Sequence, residues 1–212
     1  MGTFSRGLLG GFKGKVGSLV GSTWKGIEVL RSKAGGRKSN FSPEQLQQQA
    51  KFTLIIKFLR PLAPWLNQVY GATAVQMTGF NKATACNMLN GITGEYPDYR
   101  INYRMISLGQ GYLPNAESPA AGSTMTGKVI VSWKDNSGDG RAGPADKAFV
   151  ALYCEDMNRW ILNPNAGIRG DGTFSLDAPL FSGKTVQAYL GFVSANGKQV
   201  STSLYAGEAK VL

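Results

Sequence analysis

Ten of the first forty residues are glycine: Gly2, Gly7, Gly10, Gly11, Gly14, Gly17, Gly21, Gly26, Gly35 and Gly36. Nothing else in the chain limits its folding so strongly. A glycine inside a helix costs ~1 kcal/mol relative to alanine, so this stretch is a poor helix. A short hairpin suits it better. Residues 19–24 and 27–31 can pair across Lys25-Gly26, with Gly26 supplying the positive φ of a tight turn. Alone, such a hairpin is marginal in water and needs a host surface, from its own domain or from another subunit. Extended, forty residues reach ~130 Å, enough for an arm that crosses onto a neighbour.

Charge sharpens this picture. The formal net charge is +10. Residues 1–60 hold eleven Lys and Arg, including Lys13, Lys15, Lys25, Arg31, Lys33, Arg37 and Lys38, against Glu28 and Glu44. Residues 61–122 balance, and residues 123–212 are nearly neutral. A basic excess at one end points to phosphate, an anionic surface or an acidic neighbour. These seven cations are the candidate contacts to nucleic acid or a partner protein, and the plain alternative is a solubilising arm. A cationic interfacial helix over residues 7–21 would place Leu8, Leu9, Phe12, Val16, Leu19 and Val20 beside Lys13 and Lys15, but the glycines oppose it.

The strongest helix signal starts at Ser42, an N-cap, with Pro43 at the first helical position and Gln45 completing a capping box. Leu46, Ala50, Leu54 and Phe58 recur at i+4 and form an apolar stripe. Pro61 and Pro64 interrupt it before a second segment around Trp65. Trp24, Leu46, Leu54, Phe58 and Trp65 are the candidate core or subunit-packing residues. A shorter helix is expected over 83–90, closed by Gly91. Residues 99–113 read as a strand. Residues 115–122, rich in Pro, Ser and small side chains, read as a linker. Beyond it, strands are expected over 126–133, 148–154, 160–162, 173–176, 185–193 and 199–205, with 208–212 as a last edge. Asn196-Gly197 marks a hairpin. That spacing suits a seven-stranded sandwich, with Trp133 in its core and Tyr189 facing inward to close it. Cys86 and Cys154 read as small buried hydrophobes, so no disulfide bridges the sheets, which favours a fibronectin type III-like over an antibody-like module.

The expected class is therefore α+β: a basic glycine-rich arm with a β-hairpin over 1–41, a helical or mixed body over 42–114, a linker over 115–122, and an immunoglobulin- or fibronectin III-like antiparallel β-sandwich over 123–212.

Chemistry finds little purchase. With no His there is no Ser-His-Asp or Cys-His pair and no imidazole ligand. Ser182-Gly183-Lys184-Thr185 resembles the end of a phosphate loop, yet Ala178 stands where its first glycine belongs and a strand follows. Asp135, Ser137, Asp139 and Asp146, with Gly140, have calcium-loop spacing. Asp replaces the usual final Glu, Pro144 lies inside, and flanking helices are lacking, so an inter-strand turn is preferred over calcium. Glu155-Asp156 near Arg159 reads as a solvated turn. Tyr96, Tyr99, Tyr103 and Tyr112 could stack bases but read as a half-buried strand. No apolar run approaches the ~20 residues of a membrane span. Gly2 is a poor myristoylation site, because Arg6 stands where Ser or Thr is needed. No export signal is visible, so assembly in the cytoplasm is expected.

At Gly11-Phe12-Lys13-Gly14-Lys15-Val16-Gly17, Val20-Gly21-Ser22-Thr23-Trp24-Lys25-Gly26 and Val29-Leu30-Arg31-Ser32, the sequence resembles an uncharacterised Bacteroidota family of unknown function. The resemblance continues through 48–52, Phe80-Asn81, Tyr96-Pro97-Asp98-Tyr99 and Tyr189-Leu190-Gly191-Phe192-Val193. It implies no activity. The C-terminal part is similar in architecture to the immunoglobulin-like modules appended to phage virion proteins. The expectation is a non-enzymatic assembly protein of a phage or phage-derived particle, without a cofactor, that binds copies of itself and other particle proteins and touches neighbours or packaged nucleic acid through its arm. The alternatives are a cytoplasmic nucleic-acid-binding protein and a surface or glycan-binding adhesin module.

Overall fold

The computed structural model describes residues 3–4, 12–24, 26–36 and 40–212. The chain divides into two compact units, Met1–Pro43 and Glu44–Leu212.

In the first unit, β1 (Thr3–Phe4), β2 (Phe12–Val16), β3 (Leu19–Trp24) and β4 (Ile27–Ser32) form an antiparallel meander in chain order. The expected hairpin is its second half, in register from Leu19↔Ser32 to Trp24↔Ile27, with Gly26 at φ +83°. Gly21 is fixed by crowding: a Cβ there would lie 2.1 Å from the Phe12 carbonyl oxygen. Only a glycine lets β2 pass this close. Gly21→Ala is expected to prise β2 from β3. Amide hydrogen exchange would then accelerate across residues 12–24 while residues 44–212 keep wild-type protection, and unchanged exchange at 12–24 would refute the packing argument.

α1 (Pro43–Leu59) starts at the proline that the sequence marks, the last residue of the first unit, and from Glu44 onward belongs to the second. A 3-10 turn over Arg60–Leu62 leads into α2 (Ala63–Val69). Pro61 and Pro64 fall in the first turns of these elements, where a missing N–H breaks no hydrogen bond. α3 (Gly79–Asn90) starts four residues before the expected 83, because Thr78 caps it by accepting the Asn81 N–H at 3.1 Å. The expected strand over 99–113 is not formed. Within it only Arg100–Ile101 is a strand, β6, paired with β5 (Ile92–Thr93). Leu113 makes an isolated bridge to Ser201, and side chains satisfy part of the backbone between. The Ser107 N–H donates to Asn87 Oδ1 at 2.8 Å, and the Leu108 N–H donates to Ser203 Oγ at 2.7 Å.

Seven strands follow: β7 (Glu117–Gly122), β8 (Lys128–Lys134), β9 (Lys147–Cys154), β10 (Arg159–Asn163), β11 (Thr173–Asp177), β12 (Thr185–Val193) and β13 (Leu204–Lys210). They form two antiparallel sheets, β10-β9-β12-β13 and β11-β8-β7. The expected linker is thus corrected: residues 117–122 are the seventh strand, paired with β8 from Glu117↔Lys134 to Gly122↔Ile130 across a register shift. The two expected last strands, 199–205 and 208–212, reduce to β13, with Val200 joining Val193 by a single bridge.

The sheets enclose one core, in which Val129, Val131 and Trp133 of β8 face Val150, Leu152, Leu190 and Phe192. Trp133 packs edge-on to Phe192. A second core lies on the opposite face of the four-stranded sheet. There Phe149, Ala151, Tyr153 and Tyr189 meet Ile55, Phe58, Leu62, Trp65 and Leu66 from the helices. Body and sandwich are therefore one unit of three layers. Tyr189 is corrected accordingly. It faces the helices, and its hydroxyl donates to the Tyr103 carbonyl at 3.0 Å.

Candidate interaction surface

A group of exposed apolar and basic residues lies together in the N-terminal sheet. Side chains alternate between the faces of a strand, and residues paired across an antiparallel ladder share a face. The register puts Lys15, Val20 and Arg31 in one row, with Ser22 beside Val29 and Trp24 beside Ile27 on the same face. The other face takes Val16, Leu19, Leu30, Thr23 and Glu28. Among the described residues both faces carry exposed apolar side chains. All six residues of β4 are exposed, and Trp24 and Leu30 stay 53% and 59% exposed. Lys13 lies on β2, and Lys33 follows β4 with its N–H donated to the Ser18 carbonyl at 2.6 Å. Lys25, Arg37 and Lys38 lie outside the described residues.

The helical stripe divides along its length. Phe58 and Trp65 are buried, Leu54 is half-buried and Leu46 is exposed. The stripe expected to pack as a whole does so only in its C-terminal part, where Phe58 and Trp65 enter the core against the four-stranded sheet. Trp24, expected as a packing residue, is likewise exposed within its unit. Beside Phe52, Ile56, Lys57, Arg60 and Pro61 lies an open apolar cavity of about 580 Å³.

The calcium-spaced loop has a different organisation. Asp146 is buried, and its Oδ2 faces Arg169 Nε at 3.2 Å and accepts the Gly143 N–H at 2.9 Å. Asp135 closes its own turn by accepting the Ser137 N–H at 2.9 Å. Among the described residues no three His, Cys, Asp or Glu side chains converge. The side chain that organises this end, and that sequence reasoning missed, is Arg169. It is fully buried. Its Nη1 donates to Asn136 Oδ1 at 2.6 Å, its Nη2 to the Pro114 carbonyl at 3.0 Å, and its guanidinium lies 3.8 Å from the Phe192 ring centre. Burial lowers its pKa, and Asp146 and Asp135 oppose that shift. The tie locks the β8–β9 and β10–β11 loops to the segment entering β7.

The remaining candidates are dispersed. Ser182 to Lys184 form a turn before β12, with the Gly183 N–H given to the Val211 carbonyl and Lys184 Nζ 3.5 Å from Asp156. Tyr96 lies beside Tyr99 with ring centres 6.3 Å apart and Lys51 over the Tyr99 ring, whereas Tyr103 joins Phe58 and Tyr153 in the second core and Tyr112 is exposed elsewhere, so the four tyrosines form no single surface. Burial pushes the Tyr70 phenol up to about 12, which keeps it a donor to the Ser107 carbonyl. Cys154 is buried as expected, whereas Cys86 is half-buried with its thiol 3.4 Å from Gln110 Oε1. Among the described residues no helix is long and apolar enough to cross a membrane.

The model of the "Family of unknown function (DUF6266)" matches residues 11–207. The chain belongs to this family. The match starts within the N-terminal unit and runs into β13, so both units are part of what defines a DUF6266 protein. No curated protein matches the DUF6266 chain in sequence. Among solved structures it is similar to the fn3 domain of human collagen alpha-1(XX) chain, at a TM-score of 0.35 and 13% identity over 49% of this chain and 91% of that one. It is also similar to the chicken CNTN1 FN1-FN3 domains, at 0.34 and 14% over 49% of this chain and 36% of that one. The chain thus spans about a third of the chicken structure.

Proposed function

We propose that this DUF6266 chain is a non-enzymatic assembly protein of a phage virion or phage-derived particle, in which the N-terminal sheet of one subunit is completed by a neighbour. One observation carries the reading. Residues 44–212 close two cores of their own, whereas the N-terminal sheet leaves Val16, Leu19, Trp24, Ile27, Val29 and Leu30 exposed over both faces. A single-layer sheet of this size gains little stability from itself, and its long edge strand, β4, offers unpaired backbone groups to another chain. A partner that covers it removes both costs. The exposed first turns of α1 add apolar surface of the same kind. The particle context is suggested by the pairing of an adhesive terminus with a compact sandwich.

The test compares full-length protein with a form lacking residues 1–40, by light scattering at high protein concentration. The full chain is expected to self-associate and the truncated chain to be a folded monomer. A full chain that stays monomeric under these conditions overturns the arm-exchange mechanism. A gene lying among portal, capsid and tail genes, with the protein sedimenting alongside particles, supports the particle context. A gene without such neighbours and a protein that never sediments with particles counts against it.

A further inference from the structure

The register of the N-terminal sheet separates its charges. On one face Lys15 and Arg31 flank Val20 across three strands, with the Trp24 ring at the hairpin tip. No acidic residue of β2, β3 or β4 shares that face. The only acidic residue of these strands, Glu28, lies on the other face with Val16, Leu19 and Leu30. Lys15 and Arg31 are exposed, and among the described residues neither makes an ion pair. Both sides carry exposed apolar residues, but one combines them with cations and the Trp24 ring, and the other combines them with Glu28 and no cation of these strands.

We infer that the two faces take different partners, and that the face bearing Lys15, Arg31 and Trp24 binds single-stranded nucleic acid. The inference rests on the reading of this sheet as a docking element and names the partner of one side. Charge complementarity selects a polyanion, since residues 1–60 hold eleven cations against two acids. The exposed ring selects a polyanion with stackable bases. A base can lie on the Trp24 indole while the adjoining backbone runs along β3 and its phosphates meet Lys15 and Arg31, whose row across Val20 lies four residues, ~13 Å, from Trp24. This works with any sequence because every base has a π-face. An acidic protein would answer the cations but would leave the ring without a use. The other face, with Val16, Leu19 and Leu30 and no cation of these strands, remains for the neighbouring subunit.

The test uses the full chain and labelled oligo(dT), oligo(rU) and a duplex of equal length, read by anisotropy across a salt series. Tryptophan emission is followed in parallel, with Trp24→Ala as the reference, because Trp24 is the exposed one of the four tryptophans, Trp65 and Trp133 being buried and Trp160 half-buried. Binding of either single strand, tighter than that of duplex and with quenching of Trp24, is expected, and the two oligomers separate DNA from RNA. Trp24→Ala should weaken binding about 5- to 100-fold. Lys15→Gln with Arg31→Gln should lower the slope of log K against log salt by ~1.4, two lost phosphate contacts at ~0.7 each. Lys15→Arg with Arg31→Lys should retain binding, which guards against a loss caused by misfolding. Absence of binding at low salt overturns the inference. So does unchanged affinity in the Gln pair or in Trp24→Ala, stronger binding of duplex, or displacement by polyglutamate at equal charge. Light scattering on the same samples keeps the two ideas apart. Lost oligonucleotide binding with self-association intact sinks this inference alone, and lost self-association with binding intact sinks the reading beneath it.

Discussion

Arg169→Met is expected to destabilise the folded chain by ~3–5 kcal/mol in chemical denaturation, the usual cost of breaking a buried ion pair from one side. The methionine fills much of the space. It cannot donate to Asn136 Oδ1, the Pro114 carbonyl and Asp146 Oδ2, all of which Arg169 now serves. Asp146 would keep the Gly143 N–H but lose its counter-charge while buried. Arg169→Lys should recover only part of the loss, because an ammonium lacks the planar fork that reaches several acceptors at once. Combining Arg169→Met with Asp146→Leu should recover more, since removing both charges leaves no uncompensated ion. A single-variant loss under ~1 kcal/mol would mean that the guanidinium contributes little to the fold.

Phe58→Ala is expected to cost ~3–5 kcal/mol, the range for a large buried aromatic. The ring packs against Tyr153 and Trp160 with centroids 4.7 and 4.9 Å away, and the Trp160 indole N–H donates to the Phe58 carbonyl at 2.9 Å. It is the point where α1 grips the sheet. Leu46→Ala, on the same stripe three turns earlier, should shift stability by less than ~0.5 kcal/mol, as exposed sites do. The contrast is the informative measurement. Equal losses at both positions would mean that the start of α1 is covered in the folded monomer.

The sequence made local structure legible where local chemistry decides it. Ser42-Pro43 starts a helix and Gly26 turns a hairpin whatever surrounds them. Most strands of the sandwich were also readable from turn residues and spacing. Errors arose where tertiary contact decides. Glu117-Ser118-Pro119-Ala120 has linker composition, yet it pairs because β8 presents an open edge to it and Lys134 reaches Glu117 at 2.7 Å. The union of body and sandwich did leave a trace. β9 and β12 are nearly unbroken apolar runs, the mark of strands covered on both faces, whereas β8 alternates. Reading that difference would have turned Tyr189 toward the helices. Arg169 left no trace, since it stands 23 residues from Asp146 and nothing local says that it will be enclosed. Of the candidate surface, the basic and aromatic residues were visible from composition. Their division between two faces was not, because it depends on the register of three strands.

The double coverage of β9 and β12 also governs how such a chain can diverge. From Ala148 to Cys154 and from Val186 to Val193, each side chain lies in one core or the other or against its neighbours, so drift there meets resistance at every position. β8 has buried Val129, Val131 and Trp133 on one side and partly open Lys128, Ile130, Ser132 and Lys134 on the other. Lineages that adapt to new surroundings would therefore accumulate their differences on the outer side of the three-stranded sheet, leaving the central strands as a record of common ancestry.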